Sequence, residues 1–246
     1  MKAIIILGPA GSGKSLLSGA LCYLLKDMGY DALILNLDPA ALSYPYDAPD
    51  INIRSYVRTE RVMRRFGLGP NGGLIASMDI AVKFARRIKR EIMSMRPEIL
   101  IVDTPGQLEL FVFRQAGIAL LREAIMGIGD VRAMAIFLFD PYLCDSPSSM
   151  LSLLLLASST FLRIKIPMIG ALTKIDLLED KEKNQILEMI NNPRLIMASG
   201  ELGGILSAIR GINPRAIKLD VWPISSVTGQ GLDGIVMKIE DLLGEE

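Results

Sequence analysis

The chain has 246 residues, half of them apolar and 22% charged, with 27 basic and 27 acidic side chains and no histidine. That length supports one large α/β domain with insertions, and zero net charge removes any global basic footprint, so no direct nucleic-acid binding is expected. Without histidine, and with its two cysteines at Cys22 and Cys144 forming no CxxC pair, the chain excludes a Cys/His zinc cluster, a Ser-His triad and a histidine general base.

Short apolar runs alternate with helical patterns. The runs predict strands over 2–7, 32–37, 99–103, 133–139, 167–172 and 219–224, most of them continuously apolar, as in a mostly parallel sheet covered on both faces. Helices are expected over 14–28, 73–95, 110–126, 148–163, 181–190, 194–210 and 232–243. The segment from Leu37 to Ile99 is too long for a tight hairpin and holds a long helix, so it reads as a crossover between parallel neighbours.

The first strand opens directly into Gly8-Pro9-Ala10-Gly11-Ser12-Gly13-Lys14-Ser15, a complete GxxxxGK[ST] loop followed by a helix. This is a triphosphate cradle. The backbone of Gly11, Ser12, Gly13 and Leu16 converges on phosphate oxygens, Lys14 neutralises their charge, and the Ser15 hydroxyl is placed to ligate Mg²⁺. Asp103-Thr104-Pro105-Gly106 ends a later strand, where Asp103 can hold Mg²⁺ through water and the Gly106 N–H can sense the γ-phosphate. Thr173-Lys174-Ile175-Asp176 ends another. There the Asp176 carboxylate can accept both guanine N1–H and N2–H₂, which adenine does not offer, while the Lys174 stem lies along the base. Ser226 and Val227, just past the last strand, could present a backbone N–H to guanine O6.

Arg86 to Arg90 reads as the solvated face of a helix, and Gly69-Pro70-Asn71-Gly72 as an ordinary turn. The Leu-rich window 150–157 falls short of the ~20 residues of a bilayer span, so no membrane association is expected. Met1 to Leu7 is too short for a signal segment and serves as a strand, which together with the unpaired cysteines points to the cytoplasm. Met197, Leu202, Ile205, Leu206 and Ile209 recur at helical intervals within 193–217, suited either to core or to a groove for an apolar partner peptide.

Asn36-Leu37-Asp38-Pro39-Ala40, Gly69-Pro70-Asn71-Gly72, Asp103-Thr104-Pro105-Gly106-Gln107 and the Lys174, Asp176 pair occur in the order and approximate spacing of the GPN-loop GTPases. The resemblance covers nearly the whole chain. It implies a P-loop NTPase three-layer α/β sandwich, with a GPN-loop insertion around 40–97 and a helical insertion around 180–217. It further implies GTP/GDP and Mg²⁺ bound at a two-fold homodimer interface, and a role with a protein client in assembly of large complexes, which in eukaryotes concerns RNA polymerase. Asn71 would reach the partner's active site, and Asp38, Gln107 and Asn71 would position the attacking water, with Glu109 a further polar contact. Ser15, Asp38 and Asp103 would hold the metal. The chain departs from the family's base motif in having Thr173 where Asn is common. Two other readings remain open: a P-loop kinase acting on a small acceptor, whose loop looks alike, and a nucleotide-gated binder with negligible turnover. Dimeric ATPases with an extra Lys at the start of the loop are disfavoured, because Pro9 and Ala10 stand there.

Overall fold

The computed structural model describes residues 1–192, 196 and 219–244. Seven strands, β1 (Lys2–Leu7), β2 (Ala32–Asn36), β3 (Ile51–Asn52), β4 (Ile99–Asp103), β5 (Arg132–Phe139), β6 (Met168–Leu172) and β7 (Val221–Pro223), form one sheet in the order β3-β2-β4-β1-β5-β6-β7. Every pairing is parallel, so the mostly parallel sheet of the sequence reading is wholly parallel here. The crossover from Leu37 to Ile99 does make β2 and β4 neighbours, with Ala32 opposite Ile99 and Asn36 opposite Asp103.

Alternate residues of each strand serve opposite layers. Ile4 and Ile6 of β1 pack with Leu17, Leu21 and Leu25 of α1 (Lys14–Asp27), and the same cluster takes Ile235, Val236 and Ile239 from the C-terminal helix, Leu232–Leu243. Ala3, Ile5 and Leu7 face the other layer, which holds α2 (Thr59–Phe66), α3 (Pro70–Ala81), α4 (Ala85–Met95), α5 (Leu108–Val112), α6 (Gln115–Leu121), α7 (Pro147–Ile164) and α8 (Asp180–Asn191). The C-terminal helix is α9. Together these make the expected three-layer sandwich.

Two helical expectations are corrected. The segment 110–126 is broken into α5, α6 and a short π turn, Arg122–Met126. α6 crosses so close to α5 that a Cβ on Gly117 would lie 1.9 Å from Phe111 O. The segment 73–95 starts earlier, at Pro70, and is interrupted by a 3₁₀ turn at Val82–Phe84. Gly69-Pro70-Asn71-Gly72 is therefore no ordinary turn. Pro70 occupies the first helical position, where its missing N–H costs nothing, and Asn71 beside it is exposed on the first turn of α3.

α4 presents Arg86, Arg87 and Arg90 to solvent as expected. α7 has the length and apolar composition of a membrane span, yet Met150, Leu153, Leu154 and Ala157 on one face are buried in the cluster that contains Phe137 and Phe139. Helix 194–210 and most of the proposed groove lie outside the described residues. Ile196, the described member of that stretch, is buried in the same cluster.

Candidate nucleotide site

In an open parallel sheet, ligands bind outside the carboxyl ends of the strands. The phosphate loop follows β1, Asp38 follows β2, Asp103 ends β4, Asp140 follows β5, Thr173 to Asp176 follow β6 and Ser225 to Val227 follow β7. Apart from Asn71 on α3 and Gln107 and Glu109 at α5, all the sequence-predicted site residues sit at this edge.

Gly11 and Gly13 adopt φ of +76° and +93°, left-handed values that turn the loop tightly enough to bring successive N–H groups to one side. No side chain caps α1, so the first-turn donors and the positive helix end remain directed at the cradle. Lys14 is 5% exposed. Its ammonium donates to Gly8 O at 2.9 Å, Pro9 O at 2.7 Å and Gly106 O at 3.2 Å. Burial brings its pKa down to about 8, against the pull of the Asp103, Asp38 and Glu109 charges.

Asp103 is 2% exposed. Its Oδ2 accepts from the Tyr46 phenol at 2.9 Å, whereas Oδ1 is buried with no hydrogen-bond partner. Burial pushes its carboxyl up to about 6, held back by the Ser15 and Tyr46 side chains. Burial likewise raises Asp38, held back by the N–H groups of Ala40 and Gly106. The Asp38 Oδ1 caps its own turn by accepting from Ala40 N–H at 2.8 Å. The Gly106 carbonyl serves Lys14, while the Gly106 N–H, assigned to the γ-phosphate, lies where it favours the ionised Asp38 carboxylate.

No group of three His, Cys, Asp or Glu among the described residues could hold a metal unaided. Mg²⁺, however, typically takes one or two carboxylates and completes its shell with substrate phosphates and water. The orphaned Asp103 Oδ1, beside Ser15 and the phosphate loop, fits that ion; Asp38, whose Oδ1 is already engaged, is the less available of the two carboxylates.

At the base end, Thr173 Oγ1 donates toward Ser12 O at 3.1 Å and Phe139 O at 3.2 Å. Lys174 sits at φ +57° and its ammonium pairs with Asp140 Oδ2 at 2.7 Å, 5.4 Å from the centre of the Tyr142 ring. Asp176 is exposed on the following 3₁₀ turn, Ile175–Leu177, where its carboxylate is free to meet a base edge. Val227 is 72% exposed, and with Ser226 and Leu16 it lines a groove of about 1080 Å³ along α1.

Gln107 precedes α5 as its N-cap residue without a side-chain cap bond, and Glu109 is exposed on the first turn. Among the described residues no hydrogen bond joins Asn71 to the phosphate loop; α3 packs instead on α2, α5 and α6. Asp140 and Tyr46 are functional candidates that motif reading missed. Asp140 carries a signal, being an acidic residue at the end of an apolar strand, but Tyr46 lies in the Pro- and Asp-rich stretch 45–50 with no motif around it.

A protein family described as "conserved hypothetical ATP binding protein" matches residues 6–244. GPN-loop GTPase 3 of Kluyveromyces lactis is 34% identical over 88% of this chain and 77% of its own length. A GPN-loop GTPase 2 homolog of Dictyostelium discoideum is 34% identical over 71% of this chain and 55% of its own length. The chain thus spans little more than half the length of that curated relative. A GTPase from Pyrococcus abyssi, solved in its apo form, superposes with a TM-score of 0.84 at 25% identity, over 100% of this chain and 98% of the other. The two sets of descriptions differ on the base but agree on a nucleoside triphosphate, and the chain belongs to the GPN-loop GTPase family.

Proposed function

We propose that the protein binds and hydrolyses GTP as a homodimer and uses the nucleotide state as a switch in assembling a larger complex with a protein client. One observation carries the reading: the phosphate loop and the Thr173–Asp176 loop lie at the same sheet edge and are joined by the Thr173 to Ser12 bond. A triphosphate seated on Lys14 would thereby have its base delivered to Asp176. This also favours guanine over the adenine of the family description, because an ionised carboxylate accepts from both guanine donors and offers adenine's amino group no such pair.

Phosphoryl transfer through a loose transition state needs alignment and charge neutralisation more than covalent help. Lys14 would exchange its carbonyl partners for phosphate oxygens, and the Gly11 to Leu16 backbone would hold those oxygens in place. Mg²⁺, held by Ser15 and Asp103 with Asp38 close by, would supply charge neutralisation at the phosphates. Asp38 and Gln107 would orient the water in line, joined by Asn71 of the second subunit, with Glu109, whose charge acts on Lys14, a further polar contact. Exposure of Asn71 on the first turn of α3 supports a role toward a second copy. Both cysteines are free and buried, with burial pushing the Cys144 thiol up to about 12, which suits a reducing cytoplasm.

The test is Mg²⁺-dependent phosphate release from GTP and from ATP with no acceptor added. Release from GTP alone supports the reading. Preference for ATP, or release only when an acceptor is supplied, replaces it with an ATPase or a kinase.

A further inference from the structure

The Tyr46 phenol reaches Asp103 across 57 positions of chain. Its ring stacks on Tyr44 at a centroid distance of 5.3 Å and an interplanar angle of 26°. The Tyr44 hydroxyl accepts from Asn52 Nδ2 at 3.1 Å and from Asn36 Nδ2 at 3.3 Å. Asn36 is fully buried; its Oδ1 accepts from Asp38 N–H at 3.0 Å and its Nδ2 donates to Asp38 O at 3.1 Å. A continuous set of contacts therefore joins the two acids of the phosphate site through a pair of tyrosines.

The seat for Tyr46 is shaped on α1. A Cβ on Gly19 would lie 2.8 Å from the Tyr46 Cβ and 3.1 Å from its ring, so only glycine lets the tyrosine lie this close to the helix. With Oδ2 anchored by the phenol, the Asp103 carboxylate keeps Oδ1 as the oxygen without a protein partner. Hydrogen bonds to the outer oxygen of a ligating carboxylate fix its orientation and so tune affinity for the ion.

We propose that Tyr46 is a positioning residue for Mg²⁺: its phenol holds Asp103 with Oδ1 presented to the ion, and the Tyr44–Asn36 contacts tie that orientation to the Asp38 turn. The proposal rests on the nucleotide-binding reading above. Tyr46→Phe keeps the ring, the stacking and the contact with Gly19 while removing the donor, so a packing role would survive it and a positioning role would not. Gly19→Ala does the reverse, keeping the phenol but forcing it off its seat, and alanine is the better helix former.

The measurement is binding of a fluorescent GDP analogue as Mg²⁺ is titrated, alongside binding in chelator. Both variants are expected to need about tenfold more Mg²⁺ for half of the metal-dependent tightening. Affinity in chelator should match the unsubstituted protein. An unchanged or lowered Mg²⁺ requirement in Tyr46→Phe overturns the positioning role while leaving the nucleotide reading intact. Absence of nucleotide binding, or of any Mg²⁺ effect on it, in the unsubstituted protein overturns both.

Discussion

Thr173 and Ser12 lie 161 positions apart, yet the Thr173 hydroxyl donates toward the Ser12 carbonyl at 3.1 Å and welds the base loop to the phosphate loop. Phe139 O, the second acceptor of that hydroxyl, already receives the Thr173 N–H at 2.9 Å, so Ser12 O depends on the hydroxyl more than Phe139 O does. Thr173→Val keeps the shape and leaves Ser12 O, in a residue that is 0% exposed, without that donor. A loss of roughly 1–2 kcal/mol in stability and a comparable, about tenfold, loss of affinity are expected. Because this bond sets the Asp176 loop against the phosphate loop, GTP, whose base would meet Asp176, should weaken more than ATP. Calorimetric titration with both nucleotides checks this, and equal weakening of the two would mean that the bond does not bring Asp176 to the base.

In the proposed reading Asp176 has the complementary role, at the base. It stands exposed after Lys174, whose left-handed φ of +57° is uncommon for a residue with a side chain and marks a position held by its surroundings. The Asp140 ion pair supplies part of that hold. Asp176→Asn exchanges an acceptor of two bonds for a group that meets one guanine donor with a donor of its own. Preference for GTP over ATP should fall by about a hundredfold or more, with little change in melting temperature. Competition between the two nucleotides measures it directly.

The strands are legible because parallel strands buried on both faces are continuously apolar, so the predicted 2–7 and 99–103 coincide with β1 and β4 at both ends. α2 is not legible in the same way. Its sequence TERVMRRF buries only Thr59 and Val62 and offers no apolar stripe, and β3 is two residues long, below what any pattern resolves. That Asp103 and Thr173 stand at strand ends is legible because the apolar run and the loop residues that follow it are both local signals. Tyr46 is silent by contrast, since its meaning comes entirely from Asp103 and Gly19, neither of them near it in sequence.

Asp103 also couples the site to stability. Its carboxyl ionises near 3.8 when free of the fold and is pushed up to about 6 within it, chiefly because it is buried. Between those values the folded form holds the proton more tightly. This contribution to stability is therefore full below the unfolded value and lost as pH rises through the folded one, by up to roughly 3 kcal/mol. Asp103→Asn removes that loss. The variant should melt higher than the parent at neutral pH without nucleotide, with the difference shrinking toward pH ~4, while its Mg²⁺-dependent tightening of nucleotide is abolished. Thermal denaturation of both proteins across this range tests it; a variant less stable than the parent at neutral pH would place the cost elsewhere than in the buried carboxylate.

Asn71 and Gln107 test the two halves of water positioning. Gln107→Ala and Asn71→Ala should each slow phosphate release about a hundredfold, with GDP affinity nearly unchanged, because the water is present only before hydrolysis. In the proposed homodimer the two would differ in which subunit they serve. In a homodimer where Asn71 acts on the second copy, an Asn71→Ala subunit still carries its own Lys14, and a Lys14→Ala subunit still carries Asn71. Pairing the two slow variants builds one complete site and one doubly defective site in each hybrid dimer. Random reassortment of equal amounts makes half of the dimers hybrid, so recovery of roughly a quarter of the parental rate is expected. Phosphate release from the mixture, compared with each variant alone at the same total concentration, decides between the arrangements. No recovery after full subunit exchange would assign Asn71 to its own subunit's site or to none, and would remove the structural basis for a composite active site.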